Sequence, residues 1–565
     1  MFGLLFYFVR AVVSISHGHG GTIDTTHDSQ CQPWSFLDPN RSTIECKCYD
    51  KHLTDVVFCT HHGFLLELGY CVTYEEGDGI FFTTCLYSDF HMYNVSKSEY
   101  IQLPDHLSQL NEFMCDPLNR KGRVCSECKE GYALAVNSYS YNCVRCSNRW
   151  YGALLYILME VISVTVFYLV ILVLRISLTS APMTCLIMYS QVIVYVMHTD
   201  KTEMERLNLQ TDMYRFHIQG VVECLYGISN LELLRYAMPD FCIDSSMKII
   251  HVQLLGYISV LYLMFLLIVT WISIELHDYN FKPLVWMWRP FHSCCVQLRK
   301  EWNTKYDIID VFASFFLLCS GKLMYQSLQL LGVRHLWNRN GSQELTYSQV
   351  TLFDPTVTYL SPTNHLPYVI IGIVSLLLFT ILPTIVLVLY PTKVFRVCTS
   401  KCKLNGHSQA ALQTFVEKFH NSYRDGLNGG KDMRSFSGLH FLLRGITIAS
   451  HQLYHIKLTE NTWFFRTILF SISALVIGYF KPYKKWYMNL IDTLLHSLLA
   501  FLFFMITIHT STQSQLLHVQ LFSAGIKAAA CVPLVVFMVY GAYIVVLKAV
   551  KLTFMKKMLS YFCSP

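Results

Sequence analysis

Charge is what this sequence has least of. Only 15% of its 565 residues are Asp, Glu, Lys or Arg, whereas 53% are hydrophobic. That balance excludes one large water-soluble fold. The net charge of +6 is small, and its Lys and Arg residues gather in particular loops, so they speak for topology and no nucleic-acid partner is expected. Catalytic signatures are missing too. No nucleophile motif and no metal-ligand spacing appears on the apolar runs. His440, His451 and His455 lie scattered and read as packed or interfacial residues. GLNGGK at 426–431 resembles a phosphate loop but lacks the Walker spacing and the Ser/Thr after its Lys. An enzyme is not expected, and neither is a cofactor or a metal.

What is present is a succession of apolar runs, each about 20 residues long and able to cross about 30 Å of hydrocarbon as a helix. Nine spans are predicted, at 151–174, 180–198, 249–274, 309–331, 367–390, 438–456, 462–480, 488–508 and 521–547. The weakest, 438–456, contains Arg444 and His451; removing it would put Lys481, Lys484 and Lys485 outside and reverse the charge logic. With the N-terminus outside, the inner segments 276–306, 391–436, 481–487 and 548–565 hold five, eight, three and four Lys/Arg. The outer loops 199–247, 332–366 and 510–520 hold four, two and none. The predicted fold is therefore an all-α polytopic membrane bundle, N-out and C-in, at the plasma membrane, carrying a small disulfide-rich ectodomain of loops and strands. The bilayer is its first partner; no oligomeric state follows from the sequence.

Cysteine crowds the region before the first span. Of 21 cysteines, eleven lie between Cys31 and Cys146, a density that points to an oxidising compartment. Residues 1–16 read as a signal peptide, although Arg10 splits the apolar run and no basic residue precedes it. The outer domain then covers 17–148, the bundle 149–548 and an inner tail 549–565. His17 and His19 read as part of a solvated tail. Cys31, Cys46, Cys48, Cys59, Cys71, Cys85 and Cys115 suit a small β domain with too little core to stand without bridges.

Cys125, Cys128, Cys143 and Cys146 form C-x2-C-x14-C-x2-C, the spacing of a zinc ribbon. Just outside a membrane and after seven other cysteines, disulfides are the reading taken, with cross-pairing between the two tight pairs. Because eleven is odd, one cysteine is free, pairs with a loop between helices, or joins another chain. Cys224 and Cys242 share one predicted outer loop and are placed to bridge each other. Asn40, Asn94 and Asn340 head glycosylation sequons, the last in an outer loop.

Two inner segments stand out. Residues 281–302 mix Trp, Phe and basic side chains in the manner of an interfacial segment, with Cys294 and Cys295 as free thiols or palmitoylation sites. In 408–423, Leu412, Phe415, Val416, Phe419 and Tyr423 follow helical spacing, which predicts an amphipathic helix against the inner leaflet or the bundle.

Polar residues inside the runs are costly, about 2.5–3.5 kcal/mol for a charge. Glu160 and Lys322 sit at similar depth and are expected to pair. Arg444 and Asp492 form a second expected pair, with His496 one turn beyond Asp492 and Gln191 able to join either network. These groups are either a polar pathway or charge lock, or else structural pairs; Arg444 and Arg466 are read in the latter case as snorkelling to the interface.

Several phrases resemble a group of multi-pass proteins from sponges, cnidarians and other simple animals: CQPWSF (31–36), LNRKGRVCSECKEGY (118–132), IELHDYNFKPLVWMWRPF (274–291), YRDGLNGGKD (423–432), FKPYK (480–484) and NLID (489–492). The resemblance covers most of 31–505. It implies a surface protein with a cysteine-rich ectodomain and a helical bundle, and no established activity or site residues to carry over. The architecture is distantly similar to fungal TRP-like proteins. Two functions are expected as alternatives: a receptor-like protein whose ectodomain binds an extracellular protein or small ligand, and a channel or transporter with a polar intramembrane path.

Overall fold

In a computed structural model the described residues are the strands at 57–60, 63–67, 70–75, 79–84 and 100–102, then 115, 119–136, 143–146, 149–174, 177–206, 241–278 (without 245), 307–339, 346–392, 406–426, 430–454, 459–512 and scattered positions in 532–546. The signal-peptide reading, His17, His19, Cys31, Cys46, Cys48, Cys85, Cys224, Cys294, Cys295, the three sequons and the interfacial segment 281–302 lie outside them.

The cysteine-rich region is built of short strands. β1 (Val57–Thr60), β2 (Gly63–Glu67) and β5 (Tyr100–Gln102) form one antiparallel sheet, with Cys59 on β1. β3 (Tyr70–Glu75), which carries Cys71, and β4 (Gly79–Thr84) belong to a second sheet. Its other two strands, β10 (Val333–Arg339) and β11 (Thr346–Thr351), come from a hairpin between two membrane helices. The order is β11-β10-β4-β3, with Phe82 opposite Trp337 and Phe81 opposite Asn338. β4 thus pairs on one side with its neighbour β3 and on the other with a strand some 250 residues away.

Two ribbons complete this end: β6 (Arg120–Lys121) with β7 (Glu127–Cys128), and β8 (Tyr132–Leu134) with β9 (Cys143–Arg145). Gly131 makes the turn before β8 at φ +82°, where only glycine is unstrained. Val124 and Cys125 also have positive φ, 49° and 55°. That conformation is costly for a β-branched residue. It is held by the buried Arg120, whose Nη1 donates to Cys125 O at 3.0 Å, and by a Cys115–Cys125 disulfide.

The disulfides correct the expected pairing. Within the four-cysteine module only Cys128 and Cys143 join each other; Cys125 reaches back to Cys115, and Cys146 bonds Cys242 across 96 residues. Cys242 therefore does not bridge Cys224. With all four module sulfurs in disulfides, no thiolate remains for a zinc ribbon. The loop of Cys242 is also tied by Val136 N–H, which donates to Phe241 O at 3.0 Å.

The helices are α1 (Arg149–Leu174), α2 (Ala181–Arg206), α3 (Ile249–Leu255), α4 (Ile258–Asp278), α5 (Asp307–Leu331), α6 (Leu366–Leu376), α7 (Leu382–Leu389), α8 (Gly406–His420), α9 (Phe436–Tyr454), α10 (Thr459–Phe480) and α11 (Trp486–Thr512). Among the described residues, six stretches are long and apolar enough to cross a membrane: 151–172, 249–270, 309–331, 366–389, 462–480 and 486–508. The other three predicted spans are not among these six. In α2 the described apolar stretch is 181–193, and in the sequence Val194, Tyr195, Val196 and Met197 carry the apolar run on before His198. α9 is a helix but carries His440, Arg444 and His451, and 521–547 is described only at scattered helical positions. Exposed Leu154, Ile157 and Val166 on α1, Ile370 and Val374 on α6, and Ile472 and Leu475 on α10 are apolar faces suited to hydrocarbon.

Two local breaks have sequence causes. α3 and α4 share one span but part at Gly256, where a Cβ would stand 2.7 Å from the Gln326 amide. Between α6 and α7, residues Leu377–Ile381 form a π-turn just ahead of Pro383. Proline has no N–H to donate and its ring crowds the preceding turn, so the wider turn relieves both.

α5 is central: 83% of its apolar window is buried, against 22–44% in the other five. One core joins it to α1, α4 and α8; another joins α2, α9, α10 and α11. α8 settles its predicted apolar face on the bundle, with Phe415 and Phe419 against Phe316 and Lys418 Nζ 2.8 Å from Asp310 Oδ2.

Non-reducing peptide mapping should recover Cys115–Cys125, Cys128–Cys143 and Cys146–Cys242. Cys242→Ser should destabilise the full chain by about 4 kcal/mol, the effect of opening a loop near 100 residues; an unchanged thermal midpoint would contradict the tie.

Candidate functional site

The side chains that carry chemistry converge at the end of the bundle remote from the sheets. The remoteness follows from α6 and α7. At the start of α6, His365 Nε2 donates to Leu330 O beside β10, whereas at the end of α7 Val388 O accepts from Ser435 Oγ and Leu387 O from His420 Nε2. α9 and α11 both begin at that far end.

On α11, Asn489, Asp492 and His496 recur at three- and four-residue spacing and share a face. α9 brings His440 against them. His440 Nε2 lies 2.8 Å from Asp492 Oδ2, and His496 Nδ1 lies 3.3 Å from Asp492 Oδ1 and 2.8 Å from the Asp492 main-chain oxygen. The three side chains are buried, and one ligand atom from each falls within 4.8 Å of the others. Two imidazoles and a carboxylate are ligands that zinc and ferrous iron accept.

Two tyrosines from separate loops close the cluster. Tyr483 Oη donates to Asp492 Oδ2 at 3.1 Å, while its main-chain N–H donates to Asn489 Oδ1 at 2.8 Å and its carbonyl accepts from Asn489 Nδ2 at 3.2 Å. Tyr423 stacks on Tyr483, ring centroids 4.7 Å apart, and the two residues form an isolated β-bridge. Burial pushes both phenols well above their ordinary pKa, so they stay protonated as donors. Cys185 of α2 places its sulfur 3.1 Å from Tyr483 Oη.

One turn along α9, Arg444 makes a second knot. Its guanidinium donates to Gln191 Oε1 at 2.8 Å, Leu317 O at 3.0 Å and Ser320 Oγ at 2.5 Å, and Gln191 Nε2 donates to Leu318 O at 3.2 Å. A cation buried at 4% exposure is tolerable only with such acceptors. The pairing expected between Arg444 and Asp492 gives way to these separate partners, because His440, one turn earlier on the same face of α9, is the side chain level with Asp492. Snorkelling is also excluded for Arg466, which is buried, donates from Nε to Ser450 Oγ at 2.9 Å and lies over Trp463. Lys322 Nζ donates to Ser259 Oγ at 2.6 Å, and Glu160 is buried on α1.

Asp492, His496, Gln191 and Arg444 were legible as buried polar groups inside apolar runs. His440, Tyr423, Tyr483 and Cys185 were not. Of these, only the two tyrosines had a signal, in the YRDG and FKPYK phrases; nothing in the sequence marked His440 or Cys185. Compared with protein-family models, curated proteins and solved structures, the chain matches none.

Arg444→Met should cost about 3–5 kcal/mol, because it strips the shared donor from three buried acceptors, and Arg444→Lys should restore only part, its single ammonium lacking the planar fork. Thermal unfolding in detergent checks both; a neutral Arg444→Met would sink the account. His420 provides a pH test outside the spans. Burial lowers its pKa from 6.5 to about 4, so the folded state binds fewer protons and stability falls as pH drops through that interval. The full difference is about 3 kcal/mol, and His420→Gln should flatten the profile between pH 6.5 and 4.

Proposed function

We propose that this chain is a multi-pass receptor of the plasma membrane whose cysteine-rich domain faces outward, binds an extracellular protein or small ligand, and passes the change to the helix ends. The observation that carries the reading is the double attachment of that domain. β4 is hydrogen-bonded to β10, which follows α5 after Gly332 alone, and Cys146 is bonded to Cys242, six residues before Lys248 and the start of α3. A shift of the outer sheet therefore pulls on the most buried helix. Leu352 packs against Gly332, and Tyr359 Oη donates to Leu331 O at 3.1 Å, so the connection into α6 moves with it. At the other end of the same span, Ser435 and His420 hang from the carbonyls of α7. The distribution of Lys and Arg supports the orientation.

A second reading has one specific observation behind it. Lys322, Arg444 and the Asp492 cluster are buried polar groups within an apolar bundle, the composition of a path for an ion or small solute. Each is hydrogen-bonded to its own neighbours, Lys322 to Ser259, Arg444 to Gln191 and Ser320, and Asp492 to His440 and Tyr483, which favours a lock over an open path.

Whole-cell recording and surface proximity labelling on cells displaying the full chain separate the two. The receptor reading expects extracellular partners that disappear when residues 31–124 are deleted at equal surface display, with no added current. Retention of every partner would end it, and an ion-selective current abolished by Asp492→Asn would establish the alternative.

A further inference from the structure

The geometry points to a transition-metal site at His440, Asp492 and His496, taking zinc or a chemically similar divalent cation that staples α9 to α11. This inference stands apart from the receptor reading and needs neither its ligand nor its orientation.

Three features argue for a metal. The first is convergence: ligands from two helices, 52 residues apart in sequence at His440 and Asp492, bring their atoms within 4.8 Å. Nitrogen and oxygen ligands bind zinc at about 2.0–2.2 Å, so a cation seated among them needs only a small parting of the Nε2–Oδ2 contact, now 2.8 Å. The second is the outer layer. The shorter contact of His440 Nδ1, 2.9 Å, is to Phe436 O, which can only accept; Nδ1 therefore carries hydrogen and Nε2 is the coordinating nitrogen. Metal-binding histidines are oriented in this way, by a second nitrogen donating to a carbonyl. The carboxylate is likewise oriented, by Tyr483, which Asn489 fixes in turn. The third is the dry wall formed by Phe470, 5.7 Å from His496 between ring centroids, and buried Leu495 and Leu499.

The chemistry of binding balances. In the described geometry the 2.8 Å contact between His440 Nε2 and Asp492 Oδ2 holds a proton. A cation takes the nitrogen and oxygen lone pairs that share it, and the proton leaves to buffer. A water or the Tyr483 hydroxyl fills the remaining position. Arg444 is already committed to Gln191, Leu317 and Ser320.

The test uses the full untagged chain in detergent with His17→Ser and His19→Ser, which removes the N-terminal His-Gly-His pair. After chelation, addition of Zn²⁺ and dialysis, elemental analysis should find one zinc per chain, and Co²⁺ should give visible ligand-field bands that Zn²⁺ abolishes. Asp492→Asn and His440→Gln, close in volume and still hydrogen-bonding, should lose both signals while eluting as folded protein. Should either variant not fold, the parent chain decides: Zn²⁺ must raise its thermal midpoint and chelator must reverse this. A parent chain without stoichiometric zinc or cobalt bands, or folded variants that keep the metal, would overturn the site.

Discussion

An aspartate with 1% of its surface exposed, between apolar helices, is the constraint that organises one half of this bundle. Asp492 cannot be left to solvent, and an unpartnered carboxylate there would cost far more than any single packing contact returns. Its acceptors are met by groups from every direction: His440 from α9, His496 from its own helix and Tyr483 from the loop before it. Each partner is fixed in turn, Tyr483 by Asn489 and His440 by Phe436 O. A helix dense enough in polar residues to fail as a simple membrane span, α9, is retained because its polar side chains face these partners.

The same logic extends along the bundle. Arg444 and Gln191 satisfy one another and the carbonyls of α5, Arg466 finds Ser450 and the face of Trp463, and Lys322 finds Ser259. Polar groups thus sit where helices meet, and the faces bearing Leu154, Ile472 and Leu475 are left to hydrocarbon. At the opposite end order comes from a different source. The cysteine-rich region is tied by covalent and main-chain bonds, three disulfides among the described residues and a sheet shared with the β10–β11 hairpin. The bundle is thus joined to its cysteine-rich region through α3 and α5 at one end and knotted by hydrogen bonds at the other.

Much of this was legible. Of the nine apolar runs predicted as spans, six are long apolar helices among the described residues; cysteine crowding marked the bridged domain, and the 408–423 periodicity marked α8. The bulk of the polar core could be listed because charges within such runs stand out. Its pairings could not. Arg444 and His440 lie one turn apart on the same face of α9, and the sequence alone leaves open which of them is level with Asp492; the packing of α9 along α11 sets His440 there and Arg444 against Gln191 and Ser320. Cys242 was expected to bridge Cys224; the approach of the chain after β8 to its loop, where Ala135 bridges Cys242, gives it Cys146 instead.

By itself, then, the sequence determined what must be buried, what faces lipid and where sulfur chemistry belongs, because each depends on the side chains of one short stretch and the solvent they prefer. Tertiary structure alone decided which buried groups meet. The strand at 79–84 acquired a partner at 333–339, and two histidines and an aspartate from separate helices acquired a common centre. Those meetings depend on helix rotation and long-range register, which no local pattern encodes.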